Sequence, residues 1–199
     1  MSCEILLGTQ LPENSEDFDL IILWNYRKIL KDCYHNNIVI FHSSDLPEGK
    51  GWSPIFNSLN KELEVFTISA ILLDEKVDSG DLIVKAKFKI KDNYTAKYIR
   101  KFDEEISIML IRKILERFDN KTIKGVKQSV FGETFYKRRY LRDGKIDKNE
   151  TIRSLMPFLR GCEESHPAFF EFNGCEYIIS IEPVKRPSFP RDLRIEFCI

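Results

Sequence analysis

The sequence predicts an α/β fold in which two parallel strands lie side by side. Two short continuous apolar runs, Phe18–Trp24 and Ile38–His42, have the length and composition of strands that are buried on both faces. Between them, residues 26–35 carry apolar side chains at helical spacing. A strand, a helix and a second strand in this order form a βαβ unit, whose two strands are parallel neighbours.

The next elements follow from local patterns of the same kind. A loop rich in Gly, Pro and Ser, residues 43–53, is placed at the carboxyl end of the second strand, where open α/β sheets bind ligands. Pro54 to Leu63 predicts a helix with proline in its first turn. Further along the chain, the patterns predict strands at residues 65–73 and 81–90, a turn at 74–80 between them, and a long helix at 97–118.

The pattern changes after residue 121. Short strand-like pieces at residues 133–136, 168–172 and 177–181 flank one helix at about residues 149–160. Asn173-Gly174, between two apolar runs, is a hairpin turn signal. We therefore predict an α/β core at residues 1–125 and a small α+β C-terminal extension at residues 126–199.

Composition and charge argue against several classes of protein. Basic and acidic residues number 31 each, and this zero net charge argues against a protein that binds nucleic acid through bulk charge. No run of about 18 apolar residues predicts a membrane span, and residues 1–8 do not resemble a signal peptide. Five dispersed cysteines and three histidines show no metal-ligand spacing, so we predict no metal, reduced thiols and a cytoplasmic location.

His42 and Asp78 predict chemistry as well as fold. His42 ends the second strand, and Asp78 lies in the turn between the two later strands, so both are expected where strands end. A histidine beside a carboxylate can take a proton from a nucleophile near neutral pH, and the carboxylate stabilises the imidazolium that forms. We expect His42 to be a general base and Asp78 to be its orienting partner.

The residues around this pair resemble the folate-dependent formyltransferases, a family that includes methionyl-tRNA formyltransferase, glycinamide ribonucleotide formyltransferase and the sugar N-formyltransferases. The resemblance covers most of residues 18–120. It is carried by the loop HSSDLPEGKGWSP at residues 42–54, by the turn VDSGD at residues 77–81, and by the 36 positions that separate His42 from Asp78. It implies a Rossmann-like parallel sheet of the formyltransferase fold, shortened at its N-terminus, with N10-formyltetrahydrofolate as co-substrate.

One branch of the family is most similar. The form Leu-Pro-x-Gly-Lys-Gly-Trp-Ser-Pro and the segments at residues 133–139 and 167–170 resemble members that formylate amino sugars on nucleotides. This implies formyl transfer to a nucleotide-linked amino sugar in cell-surface glycan synthesis, such as that of the lipopolysaccharide O-antigen. A long RNA-binding C-terminal domain is not evident, so initiator tRNA is not the expected substrate. The alternatives are a formyltransferase for another small amine, or a degenerate member without turnover.

The resemblance also assigns residues to the two substrates. Trp24, Asn25 and Tyr26 are expected to meet the pterin ring through their backbone, and Asp74 and Val77 to close the other side of that pocket. The residues expected to bind the acceptor substrate are Ser44, Lys50, Gly51 and Trp52; the lysine would meet a phosphate or the folate tail, and the tryptophan would stack on a base or sugar.

The chain departs from the family at a position that bears on the mechanism. The family has asparagine two residues before the histidine, and this chain has Ile40, which cannot donate a hydrogen bond. The donor for the developing oxyanion must then come from elsewhere, and Asn25 and Ser44 are the candidates.

The C-terminal tail is rich in phenylalanine, and we expect that it can pair two protomers as a homodimer.

Overall fold

A computed structural model of the chain describes residues 11, 15–26, 37–118 and 123–198. Its three helices are α1 (Pro54–Asn60), α2 (Ala96–Arg117) and α3 (Ile152–Gly161). Its strands are β1 (Ile21–Leu23), β2 (Ile38–His42), β3 (Lys50–Gly51), β4 (Val65–Leu72), β5 (Leu82–Lys89), β6 (Phe135–Tyr136), β7 (Ala168–Phe172), β8 (Cys175–Ile179) and β9 (Arg194–Phe197). None of the helices in this part of the chain combines the length and hydropathy needed to span a bilayer.

Within the described residues, the main sheet has five strands in the order β1-β2-β4-β5-β9. β1 and β2 are parallel, with Leu23 opposite Ile40, which confirms the predicted neighbours. The helix predicted between them lies largely outside the described residues. The other three pairs are antiparallel, so the sheet expected to be parallel is mixed. For β4 and β5 the reason is the connection: a turn of a few residues can join only antiparallel strands, whereas parallel strands need a crossover.

Helix α2 covers one face of this sheet and forms the main core with it. The apolar stripe predicted along the helix is buried at five positions, and Met109, at the edge of the stripe, is 37% exposed. Burying a side chain of this size stabilises the fold by roughly 1.5–3 kcal/mol. The buried helix residues are Ile99, Phe102, Ile106, Leu110 and Ile114, and they belong to the same core as Phe66, Ile68, Val84, Ala86 and Phe88 of the sheet.

The C-terminal part packs on the core through α3, which lies against α1; the Phe56 and Phe158 rings meet edge to face at 5.4 Å. β7 and β8 form the predicted hairpin, and Asn173 and Gly174 at its turn both have positive φ, as a type I′ turn requires. β9 returns to the main sheet beside β5. The division at residue 125 and the homodimer stay predictions.

A short parallel pairing of β3 with β6 ties the loop after β2 to the C-terminal part. Gly51 of β3 needs its glycine here, because its φ is +91° and an added Cβ would lie 2.6 Å from the Tyr136 carbonyl oxygen. One space in the fold is surrounded by the ends of β1 and β2, the β4–β5 turn and the N-terminal half of α2.

Candidate active site

That space is a cavity of about 730 Å³ at the carboxyl ends of β1 and β2. Its wall is built from five parts of the chain: the strand ends, the start of α1, the β4–β5 turn, one side of α2, and residues that follow β6 and α3. A cavity of this volume lies within the usual range of small-molecule and cofactor sites. No group of three or more potential metal ligands occurs among the residues that the structure describes.

His42 and Asp78 lie together in the wall of this cavity. Nδ1 of His42 is 3.5 Å from Oδ2 of Asp78, and their side chains are only 9% and 14% exposed. Asp78 has a φ of +52°, and its turn is fixed by Gln128, whose side chain donates to the carbonyls of Asp78 and Gly80 at 2.9 and 2.8 Å. The backbone N–H of Gly51 donates to Asp78 Oδ2 at 2.8 Å. The structure therefore joins the two residues from distant segments, and their catalytic roles stay predictions.

Both ring nitrogens of His42 face hydrogen-bond acceptors. Nε2 is 2.8 Å from the Gly49 carbonyl oxygen, which can only accept, so Nε2 carries a hydrogen. Nδ1 faces the Asp78 carboxylate. The ring must give up one of these contacts before it can accept a proton from a substrate.

Seven of the predicted binding residues reach the cavity, and two do not. The structure places in its wall Trp24, Asn25, Tyr26, Asp74, Val77, Gly51 and Trp52. The Ser44 hydroxyl is outside that lining and donates to the Glu48 carbonyl at 2.8 Å. Lys50 is 3% exposed, and its Nζ donates to Ser79 Oγ at 2.8 Å and to Glu133 Oε1 at 2.5 Å. Both side chains hold the loop in place from within the fold.

Ile40 lines the cavity, so the position where the family has asparagine is apolar in the structure as well. Leu23, the last residue of β1, is opposite Ile40 of β2, and Asn25 follows two residues later on the cavity wall. Asn25 has a φ of +53°, in the left-handed region that asparagine tolerates better than most residues.

The structure adds a residue that sequence reasoning missed. Asp103 of α2 lines the cavity, and Ser43 Oγ donates to its Oδ2 at 2.9 Å. Burial raises the pKa of Asp103 to about 6, while the hydrogen bond from Ser43 and the charge of Arg100 act in the opposite direction. In sequence Asp103 is one of three consecutive acidic residues on the helix, a pattern typical of a solvated face.

Aromatic and basic side chains meet at another part of the wall. The guanidinium of Arg138 lies 4.7 Å from the ring centroid of Trp52 and 5.8 Å from that of Tyr140. Arg139 lies 3.4 Å from the ring centroid of Phe56. Guanidinium groups at these distances from aromatic faces form cation–π contacts, which fix the planar groups in position.

Comparisons with known proteins place the chain in a family. Residues 12–114 match the family described as formyl transferase. A methionyl-tRNA formyltransferase of Fusobacterium nucleatum is 30% identical over 160 residues, which cover 78% of this chain and 52% of that protein. The chain spans about half the length of the curated relatives it matches.

Solved structures share the fold. A 4-N formyltransferase from Francisella tularensis has a TM-score of 0.74 at 18% identity, covering 87% of this chain and 76% of that one. An N-formyltransferase from Helicobacter canadensis, in complex with folinic acid and dTDP-3-aminofucose, has a TM-score of 0.63 at 19% identity, covering 75% and 56%. The formyltransferase fold predicted from the sequence is thereby confirmed. The family match covers more than half of the residues of this chain, and the chain therefore belongs to the formyl transferase family.

Proposed function

We propose that this protein transfers a formyl group from N10-formyltetrahydrofolate to the amino group of a nucleotide-linked amino sugar. The observation that carries the proposal is the His42–Asp78 pair in the wall of a cavity of about 730 Å³, in a chain of the formyl transferase family. The cavity has the volume of a small-molecule or cofactor site.

Two segments on the cavity wall suit the folate. Residues 24–26 at the end of β1 and residues 74–77 of the β4–β5 turn both line the cavity. Backbone N–H and C=O groups can pair with the donor and acceptor edge of a pterin whatever side chains they carry. We assign these segments to the pterin ring.

The His42–Asp78 pair supplies the acid–base chemistry. Bound N10-formyltetrahydrofolate offers a formyl carbon to which the acceptor nitrogen bonds while the carbon's bond to N10 breaks; the acceptor loses one proton and N10 gains one. The neutral His42 ring leaves the Gly49 carbonyl and accepts the proton from the acceptor nitrogen; Asp78 stabilises the imidazolium, which then gives the proton to N10.

Asn25 is the better of the two candidates for the oxyanion donor. It lines the same cavity as His42, whereas the Ser44 hydroxyl is engaged with the Glu48 carbonyl outside the lining. Removing one oxyanion donor typically costs about 10²–10³ in kcat. We expect this loss in Asn25→Ala and an unchanged kcat in Ser44→Ala, measured in the same formyl-transfer assay. Equal rates in both variants would remove Asn25 from the mechanism.

The acceptor assignment is supported by the aromatic and basic part of the wall. Trp52 is 40% exposed with Arg138 against its ring, which offers a flat surface for a base or sugar and a positive charge for a phosphate. Lys50, expected to meet a phosphate, is engaged by Glu133, so Arg138 takes that role in the proposal. The related structure that holds dTDP-3-aminofucose binds a ligand of this chemistry.

Methionyl-tRNA is the second candidate acceptor, because the curated relatives are methionyl-tRNA formyltransferases. The equal numbers of basic and acidic residues give the sequence little attraction for a polyanion. The nucleotide sugar is therefore the acceptor that we propose.

The test supplies N10-formyltetrahydrofolate with dTDP- and UDP-linked amino sugars or with methionyl-tRNA, and identifies the N-formyl product by mass spectrometry. We expect product from a nucleotide sugar with the wild type and none with His42→Gln. Formylated methionyl-tRNA alone would replace the proposed acceptor. A folded protein that binds 5-N-formyltetrahydrofolate but formylates nothing would be the degenerate member, and the enzyme proposal would be wrong.

A further inference from the structure

Asp103 is hydrogen-bonded to the residue that follows His42 at the end of β2. Its Oδ2 accepts a hydrogen bond of 2.9 Å from Ser43, and Ser43 is the residue directly after His42. Asp103 and His42 line the same cavity. The carboxylate is therefore placed beside the proposed reaction centre without being one of the residues assigned to it.

One oxygen of this carboxylate has no partner. Oδ1 of Asp103 is buried and accepts no hydrogen bond from any group in residues 15–26, 37–118 or 123–198. Buried carboxylates are normally paired or fully hydrogen-bonded, because leaving one unpaired is costly. Because Asp103 lines the cavity, a small rotation of its side chain would present this oxygen to a donor that arrives with a ligand.

The surrounding charges select a cationic ligand. Arg100 is the basic residue whose charge acts on Asp103, but its guanidinium makes two hydrogen bonds to Glu163, of 2.8 and 2.7 Å. Glu104 lies beside Asp103 on the same wall. Arg100 is thus neutralised by Glu163, and the carboxylates of Asp103 and Glu104 leave this wall acidic.

We propose that Asp103 binds the amino group of the acceptor as an ammonium ion, and so selects an amino sugar over the corresponding hydroxyl sugar; this rests on the proposed formyl transfer to an amine. An ammonium donates hydrogen bonds and never accepts them, which matches an unpartnered carboxylate oxygen. Above about pH 6 the Asp103 carboxyl is charged, as this contact requires. The nucleotide, which is anionic, lies toward Arg138 and Trp52.

The variant that tests this is Asp103→Asn. Its amide oxygen still accepts from Ser43, but its charge is gone and its N–H groups oppose those of the amine. The expected result is a rise of about 10- to 100-fold in KM for the amino-sugar nucleotide, the size of effect measured for hydrogen bonds to charged groups. The Kd for 5-N-formyltetrahydrofolate stays unchanged. Glu105→Gln is the control, because Glu105 is an exposed carboxylate on the same helix outside the cavity.

A binding measurement separates this inference from the proposed reaction. Calorimetry without folate compares dTDP-3-aminofucose with dTDP-fucose; the wild type binds the amine tighter, and Asp103→Asn binds both alike. That pattern in a protein without turnover would leave Asp103 as the amine site and refute the reaction. Turnover by the wild type with an unchanged KM in Asp103→Asn would overturn the Asp103 inference alone. A wild type that does not distinguish the two nucleotides would also overturn it.

Discussion

Replacing Asp103 by asparagine should change how the stability of the protein depends on pH. Burial raises the pKa of this carboxyl from 3.8 to about 6, so the folded protein holds the proton more tightly than the unfolded chain does. Well below pH 3.8 the carboxyl is protonated in both states and carries no penalty. Between about pH 4 and pH 6 the unfolded chain releases this proton while the folded state keeps it, so stability falls across this range and levels off above about pH 6.

The size of this loss follows from the shift. A difference of about two pKa units corresponds to roughly 3 kcal/mol of unfolding free energy, all of it lost by about pH 8. Asparagine does not titrate, so the stability of Asp103→Asn relative to wild type should rise by about this amount between pH 4 and pH 8. The amide N–H that replaces Oδ1 lacks an acceptor and costs about 1–3 kcal/mol, but equally at every pH.

Urea unfolding followed by circular dichroism, at intervals from about pH 4 to pH 8, measures this difference. Glu105→Gln is the control, because its carboxylate is exposed and its curve should run parallel to that of the wild type. Stability curves of Asp103→Asn and wild type that stay parallel within about 1 kcal/mol would refute the reasoning. The Asp103 carboxylate would then be solvated in the free protein, and the unpartnered oxygen would no longer point to a ligand.

Three further predictions concern Asp78, the Lys50–Glu133 ion pair and Gly51. Asp78→Asn keeps an acceptor for the Gly51 N–H but removes the charge beside the ring, so kcat should fall about 10²- to 10⁴-fold while circular dichroism stays unchanged; a kcat near that of the wild type would exclude Asp78 from acid–base chemistry. Glu133→Ala leaves the Lys50 ammonium buried without its counter-charge and should lower the unfolding free energy by about 2 kcal/mol in urea unfolding. Lys50→Met should lower it less, because the Glu133 carboxylate that it leaves unpaired is 37% exposed and can be solvated; the reverse order would contradict this. Gly51→Ala should lower the unfolding free energy by more than about 2 kcal/mol, because the added Cβ meets the Tyr136 carbonyl; Gly174→Ala, at positive φ in open space, should lower it by about 1 kcal/mol. Similar losses in the two variants would show that the backbone near Gly51 can move to accept the Cβ.

The elements that were predicted well are those set by local patterns. β2 at residues 38–42 and β7 at residues 168–172 were predicted with their observed limits, and α2 was predicted to within one residue at each end. Continuous apolar runs and a stripe at helical spacing each depend on residues that are close in sequence. They can therefore be recognised without knowledge of the partners.

Strand pairing and side-chain partners depend on contacts between distant residues. The sheet is mixed because β4 and β5 return antiparallel, and the pairing of β9 with β5 has no local signal. Lys50 was expected to face a ligand, but Glu133, 83 residues further on, pairs with it inside the fold. Asp103 was missed for the same reason, since only the packing of α2 beside Ser43 distinguishes it from its acidic neighbours.

The position of β9 has a consequence for how the chain is made. Val84 of β5 pairs with Phe197 of β9, so 113 further residues must be synthesised before β9 can cover the edge of β5. Until then the nascent chain carries an open strand edge, of the kind that strands of other chains join. We expect the protein on the ribosome to be prone to aggregation until residues 194–197 emerge, and its yield to depend on chaperones more than its folded stability would suggest.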